Sequence, residues 1–279
     1  MCIRDRIIVT LLWGATFVII KEALADISTM AFIAIRFLIA AILLLPLMKN
    51  KIFTKQSTLA GILLGALLFM GFATQTVGLK FTSATNSGFL TGTAVIMVPL
   101  LQIILEKKAP TKGVILGTVL VMIGITFLSS GGNSILNLFK DLSNNFNIGE
   151  FLTLICALFF ALYIVFLDVE TNKYDFWSLL FLQIITTAVL AILFSVIFKE
   201  TDIEPFKINF TNNLIFAIFY TSIFATLITT ALQTKYQKYV TPAKAGIIFS
   251  FEPIFSAIFA FFILSEKITN FGYLGASLI

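Results

Sequence analysis

Gln75-Thr76-Val77-Gly78-Leu79-Lys80-Phe81-Thr82-Ser83-Ala84-Thr85-Asn86-Ser87-Gly88 returns later in the chain as Gln233-Thr234-Lys235-Tyr236-Gln237-Lys238-Tyr239-Val240-Thr241-Pro242-Ala243-Lys244-Ala245-Gly246. Gln75 answers Gln233, Lys80-Phe81 answers Lys238-Tyr239, and Gly88 answers Gly246 (246 − 88 = 158). Gly117 answers Gly275 at the same offset. Upstream the offset is 147: Trp13 to Phe17 answers Phe160 to Ile164, and Arg36 answers Gln183. One insertion separates the two constant offsets, so the second half of the chain reads as a copy of the first.

Each copy holds five apolar segments. They fall near 7–25, 28–48, 57–79, 83–105 and 111–130, then 149–169, 175–198, 213–234, 241–264 and 270–279. A spanning helix needs roughly 20 mostly apolar residues, and the long unalternated runs favour helices over barrel strands. The expected fold is therefore an all-α polytopic membrane protein with ten transmembrane helices. The domains are 7–130 and 149–279, joined by an Asn-, Ser- and Gly-rich linker at 131–148. A unit that crosses the membrane five times leaves its copy upside down. Inverted repeats of this kind build alternating access around one mid-membrane site. The tenth segment stops after nine residues and is expected to be truncated, and Met1 to Arg6 is expected to be a non-native leader.

Composition agrees. Hydrophobic residues make up 59% of the chain and charged residues 12%, against about 25% charged in soluble domains. The chain has no His and two Cys, which removes imidazole chemistry, a disulfide framework and a Cys- or His-based metal site. No cofactor is expected. Cys156 reads as a small buried packer. The net charge of +5 sits mainly in loops, where it sets topology and does not signal nucleic acid. Arg4, Arg6, Lys49, Lys51, Lys55, Lys107, Lys108, Lys112, Lys173, Lys235 and Lys238 lie on one side, eleven in all. Lys21, Lys80, Lys140, Lys199, Lys207 and Lys267 lie on the other, six in all. The bias places the N-terminus in the cytoplasm.

Leu12-Trp13-Gly14-Ala15-Thr16-Phe17 with Lys21, Arg36-Phe37, Leu79 to Ala84, Glu252-Pro253 and Glu266-Lys267 together resemble the EamA family of the drug/metabolite transporter superfamily. The resemblance covers nearly the whole chain. It implies ten helices, a central cavity, and a secondary transporter of small organic metabolites. Amino acids or related compounds, exported across the cytoplasmic (inner) membrane, are the implied cargo. The chain departs from the pattern at the missing end of helix 10. Its first half also lacks a Glu-Pro pair, the matching stretch reading Ile96-Met97-Val98-Pro99.

Six polar or amphipathic residues within apolar runs are candidates for the cavity: Trp13, Arg36, Asn86, Tyr163, Tyr220 and Glu252. A charge inside the bilayer costs at least about 2.5–3.5 kcal/mol on insertion scales and needs a partner or a wet cavity. Arg36 is then either a binder of anionic groups or half of a structural ion pair. Glu252 lies at a similar depth and is either its partner or a carrier of a coupling proton or ion. Pro253 frees a carbonyl one turn earlier and gives a hinge or a polar spot. Gln75, Gln183 and Gln233 bridge helices or meet solute. Gly61-x-x-x-Gly65, Gly88-x-x-x-Gly92 and Gly113-x-x-x-Gly117 read as close-packing motifs. The alternatives to a transporter are a membrane-embedded enzyme, for which no nucleophile–base pair is evident, or a channel or scaffold. The partners are a small solute and the lipid bilayer; oligomeric state is left open.

Overall fold

The computed structural model describes residues 2–49, 53–129, 147–264 and 270–279. Residues 131–146 of the expected linker, Lys51, Lys140 and the Glu266-Lys267 pair lie outside them. The described chain is all helical, with one isolated bridge between Ile27 and Ile208. Helices α1 (Cys2–Ala23), α2 (Thr29–Leu44), α3 (Lys55–Leu79), α4 (Ala84–Gly92), α5 (Ala94–Glu106) and α6 (Lys112–Ser129) make up the first half. The second half holds α7 (Ile148–Thr171), α8 (Phe176–Glu200), α9 (Asn212–Ser222), α10 (Thr229–Tyr236), α11 (Pro242–Phe249), α12 (Glu252–Leu264) and α13 (Asn270–Leu278). Seven spans among the described residues are long and apolar enough to cross a membrane, and Lys112–Leu128 is a shorter apolar helix.

The helix starts follow capping chemistry. Thr54 and Ser57 cap α3 reciprocally, Asn147 and Glu150 do the same for α7, and the Asp175 carboxylate accepts from two backbone N–H groups of α8. Large apolar side chains such as Ile104 (68% exposed) and Phe262 (75%) point outward. A surface of this kind suits lipid and not water.

Three spans are interrupted. A break at Thr93 divides α4 from α5, and a break at Ser250-Phe251 divides α11 from α12. Between α9 and α10 the chain widens into a π turn over Ile223–Ile228. Pro253 sits in the first turn of α12, where a missing N–H costs little. Pro99 lies inside α5 without ending it.

The two halves interlock. The main packing partners of α3 are α7 and α8; α2 packs on α8, α1 on α12, α5 on α7 and α11, and α6 on α13. At one end the loops are tied across the halves. Lys80 Nζ meets Glu204 at 2.7 Å, and the Thr29 N–H donates to the same carboxylate at 2.9 Å. Asn209 N–H donates to the Asp26 carbonyl at 2.8 Å.

Glycines of one sequence form meet different fates. A Cβ on Gly65 would lie 2.6 Å from the Gln183 carbonyl oxygen and 2.6 Å from Thr186 Cβ. Gly61 presses equally on Leu182, whereas Gly113 has nothing within 4 Å, so the expected packing role fails there. Gly65→Ala should therefore destabilise by about 1–3 kcal/mol, while Gly113→Ala leaves the thermal unfolding midpoint in detergent unchanged or slightly raised. Equal midpoints for the two variants would refute this account of the α3–α8 seam.

Candidate functional site

A cavity lies at the centre of the bundle, among α1, α3, α4, α5, α7, α10, α11 and α12. The centre of a water molecule can reach about 60 Å³ of it. That is room for several waters or a small solute, since one water needs about 10–15 Å³ by this measure. Both helix breaks open onto it: Gly92 and Ala94 flank one, and Ser250 and Glu252 flank the other. Its wall alternates aromatic rings (Trp13, Phe72, Phe160, Phe249) with Thr16, Gln75, Thr91, Tyr163, Thr230 and Gln233. Trp13 and Phe249 sit 5.4 Å apart, centroid to centroid, and Phe72 meets Phe160 edge-on at 5.1 Å.

Three of the six expected residues, Trp13, Tyr163 and Glu252, line this cavity. Tyr163 donates its hydroxyl to Gln183 Oε1 at 2.9 Å, and Gln183 Nε2 donates to Thr234 Oγ1 at 2.8 Å. Gln183 thus bridges helices, as its sequence position allowed. Glu252 opens α12, and among the described residues its carboxylate receives no hydrogen bond and no ion pair. The other three lie elsewhere. Tyr220 donates to the Leu12 carbonyl at 3.0 Å and stacks on Phe216 and Phe224. Asn86 stands in the first turn of α4, its N–H donating to the Ser83 hydroxyl that caps the helix.

Arg36 is 1% exposed and faces the protein, not the cavity. Its Nη2 donates to the Ala225 carbonyl at 2.9 Å and its Nε to the Thr226 hydroxyl. Its guanidinium carbon lies 4.6 Å from the centroid of the Phe72 ring. The same Ala225 carbonyl also accepts from Trp13 Nε1 at 3.2 Å and Thr229 Oγ1 at 2.8 Å. Ala225 belongs to the π turn, whose widened backbone offers this oxygen to outside donors. Arg36 and Glu252 are therefore not brought together: a backbone carbonyl does the work a carboxylate was expected to do.

Sequence reasoning missed most of the polar wall. Gln75 and Gln233 were weighed mainly as helix bridges, and Thr16, Thr230 and Ser250 were not singled out. The repeat could have found them, because Gln75 and Gln233 are images at the 158-residue offset and both reach the cavity.

A model of the EamA-like transporter family matches residues 6–130 and again residues 147–279. An uncharacterized transporter of Archaeoglobus fulgidus is 35% identical over 272 residues, spanning 98% of this chain and 81% of that protein. A second such transporter of the same organism is 26% identical over 170 residues, spanning 59% of this chain and 56% of its own length. A solved structure described only as a crystal structure of a protein superposes with a TM-score of 0.76. It covers 99% of this chain and 93% of its own at 14% identity, a likeness of fold alone. The chain belongs to the EamA-like transporter family.

With no shared partner, Arg36 and Glu252 should behave independently. Arg36→Met removes two charge-assisted hydrogen bonds, although the Ala225 carbonyl keeps Trp13 and Thr229 as donors, and should cost about 1.5–3 kcal/mol of stability. Adding Glu252→Gln should give the sum of the single effects in detergent thermal unfolding. Recovery in the double variant would reinstate the ion pair.

Proposed function

We propose that this member of the EamA-like transporter family is a secondary transporter, moving small organic metabolites through the central cavity by alternating access of two inverted five-helix repeats. The observation that carries the reading is the symmetry of the cavity wall. Trp13 and Phe160, and Thr16 and Tyr163, are 147 residues apart. Phe72 and Thr230, Gln75 and Gln233, Thr91 and Phe249, Gly92 and Ser250, and Ala94 and Glu252 are 158 apart. All fourteen residues line one cavity. Residues at matched positions of two copies meet only where both copies approach their common axis. That is where an inverted-repeat transporter builds its site.

The packing supports the same symmetry. Exchanging the halves turns the contacts of α1 with α11 and α12 into those of α7 with α4 and α5, and turns α3 on α7 into the α9–α10 span on α1. The pairs α2 with α8 and α6 with α13 map onto themselves. The break at Thr93 has its image at Phe251, again 158 residues on. The breaks follow this register and not the prolines, so Ala94 and not Val98 stands opposite Glu252.

Alternating access needs a barrier that can open at each end. The cross-half ties of Lys80, Thr29 and Glu204 supply one such barrier. The Lys and Arg bias places them on the outer face, with the N-terminus in the cytoplasm of a cell whose inner membrane holds the chain. Export is the direction carried over from the family resemblance. A coupling ion, if used, has Glu252 as its acceptor in the cavity. Half-helix ends facing a mid-membrane cavity are the form in which irregular backbone is tolerated at that depth.

Two measurements test this reading. Proteoliposomes loaded with an unlabelled amino acid or amine should take up the same labelled compound against its gradient, saturably, for at least one member of a metabolite panel. Uptake linear in concentration for the whole panel would point to a pore. Single cysteines at Lys108 and Lys207, in a Cys-free background, should be labelled from opposite sides of the membrane. Labelling from one side would break the inverted arrangement.

A further inference from the structure

We propose that the cavity takes small organic cations, meaning solutes that carry a protonated or quaternary nitrogen on an apolar or aromatic body and no free carboxylate. This rests on the reading of the cavity as the solute site and narrows its cargo to amines and related amino compounds.

The charge of the wall comes first. Among the described residues Glu252 is the one carboxylate lining the cavity, and no Lys or Arg of theirs lines it. Arg36, a few residues from the wall in space through Phe72, is committed to the Ala225 carbonyl and the Thr226 hydroxyl. Glu252 stands in the first turn of α12, where the helix dipole favours negative charge. A carboxylate away from bulk water without a cationic partner is costly. A cationic solute supplies that partner, whereas an anionic one adds a second like charge.

Hydrogen-bonding direction comes second, and it is independent of charge. Four lining residues have their one donor turned into the protein. Trp13 Nε1 donates to the Ala225 carbonyl at 3.2 Å, Thr16 to the Trp13 carbonyl at 2.6 Å, and Tyr163 to Gln183 at 2.9 Å. Ser250 donates to the Ile247 carbonyl at 2.5 Å, while Gln75 spends one of its two amide N–H groups on Thr91, also of the wall, at 3.3 Å. These groups present acceptor oxygens and ring carbon to the space between them. A donor-rich ammonium matches such a wall, and a carboxylate, which only accepts, does not.

The rings come third. With its indole N–H committed, Trp13 offers the cavity an aromatic surface beside Phe249, 5.4 Å away. Aromatic faces attract organic cations, most strongly where water is excluded.

The test uses three ligands of one shape on the full chain in lipid nanodiscs: benzylammonium, benzamide and benzoate. Titration calorimetry should rank them in that order, with benzoate at least about tenfold weaker than benzylammonium. Glu252→Gln, with its folding checked by thermal unfolding, should weaken benzylammonium at least about tenfold and benzamide less than about threefold. Phe249→Leu should weaken benzylammonium by roughly two- to tenfold. Benzoate binding as tightly as benzylammonium would overturn the proposal, and so would unchanged benzylammonium affinity in folded Glu252→Gln. If that variant does not fold, the wild-type ranking decides alone. Counterflow separates this inference from the one beneath it. Benzylammonium that binds in this ranking yet never exchanges counts against transport and leaves the cation assignment standing. Saturable exchange of benzoate without benzylammonium keeps the transporter and removes the cation assignment.

Discussion

One backbone oxygen organises the bundle. The Ala225 carbonyl accepts from the Arg36 guanidinium, the Trp13 indole and the Thr229 hydroxyl, and so ties α1 and α2 to the span that carries the π turn. A guanidinium inside a membrane must be fully partnered or lie in water. In a regular α-helix the carbonyl of Ala225 would be engaged along its own axis and less available to outside donors. Ala225 lies within the π turn, and its carbonyl takes two donors from outside the span and one from within it. Arg36 and Trp13 are thereby fixed, and Phe72, under the guanidinium, is held against the cavity.

The second constraint is that unpaired peptide groups are intolerable in lipid, so irregular backbone at membrane depth must be buried in protein or line a cavity. The two breaks, at Thr93 and at Ser250-Phe251, occur where four half-helix ends surround a cavity and face no lipid. Small residues make the close approaches around them. A Cβ on Gly92 would come within 3.0 Å of the Pro253 ring, and one on Gly14 within 2.5 Å of Phe255. The cavity is thus framed by close packing, which holds its wall in register.

Much of the fold was legible. The apolar runs anticipated where most of the described helices fall, because membrane helices must satisfy their own backbone and so advertise themselves by length and composition. The break in the second half was anticipated through Pro253, but for a different reason. Its ring rests in the first turn of α12, where it is tolerated, and the matching break at Thr93 has no proline at all. Trp13, Tyr163 and Glu252 were found by being polar in apolar surroundings. That rule also selected Tyr220, whose hydroxyl is spent on a helix carbonyl, and Asn86, which stands at a helix start away from the cavity. It could not distinguish Gly65 from Gly113, since the same spacing of glycines says nothing about what stands opposite.

The sequence by itself determined the class of the protein, its apolar helical segments and its family, because each depends on residue type and spacing along one chain. The tertiary structure alone decided which polar groups face the cavity and which are consumed within the wall. Arg36 shows why. Its sequence context demands a partner, but any acceptor at the right depth would serve, and the one it finds is a main-chain oxygen that no residue code distinguishes. Glu252 is the converse: its residue type is plain, and only the packing of eight helices around the cavity leaves that carboxylate on its wall with no hydrogen bond or ion pair among the described residues.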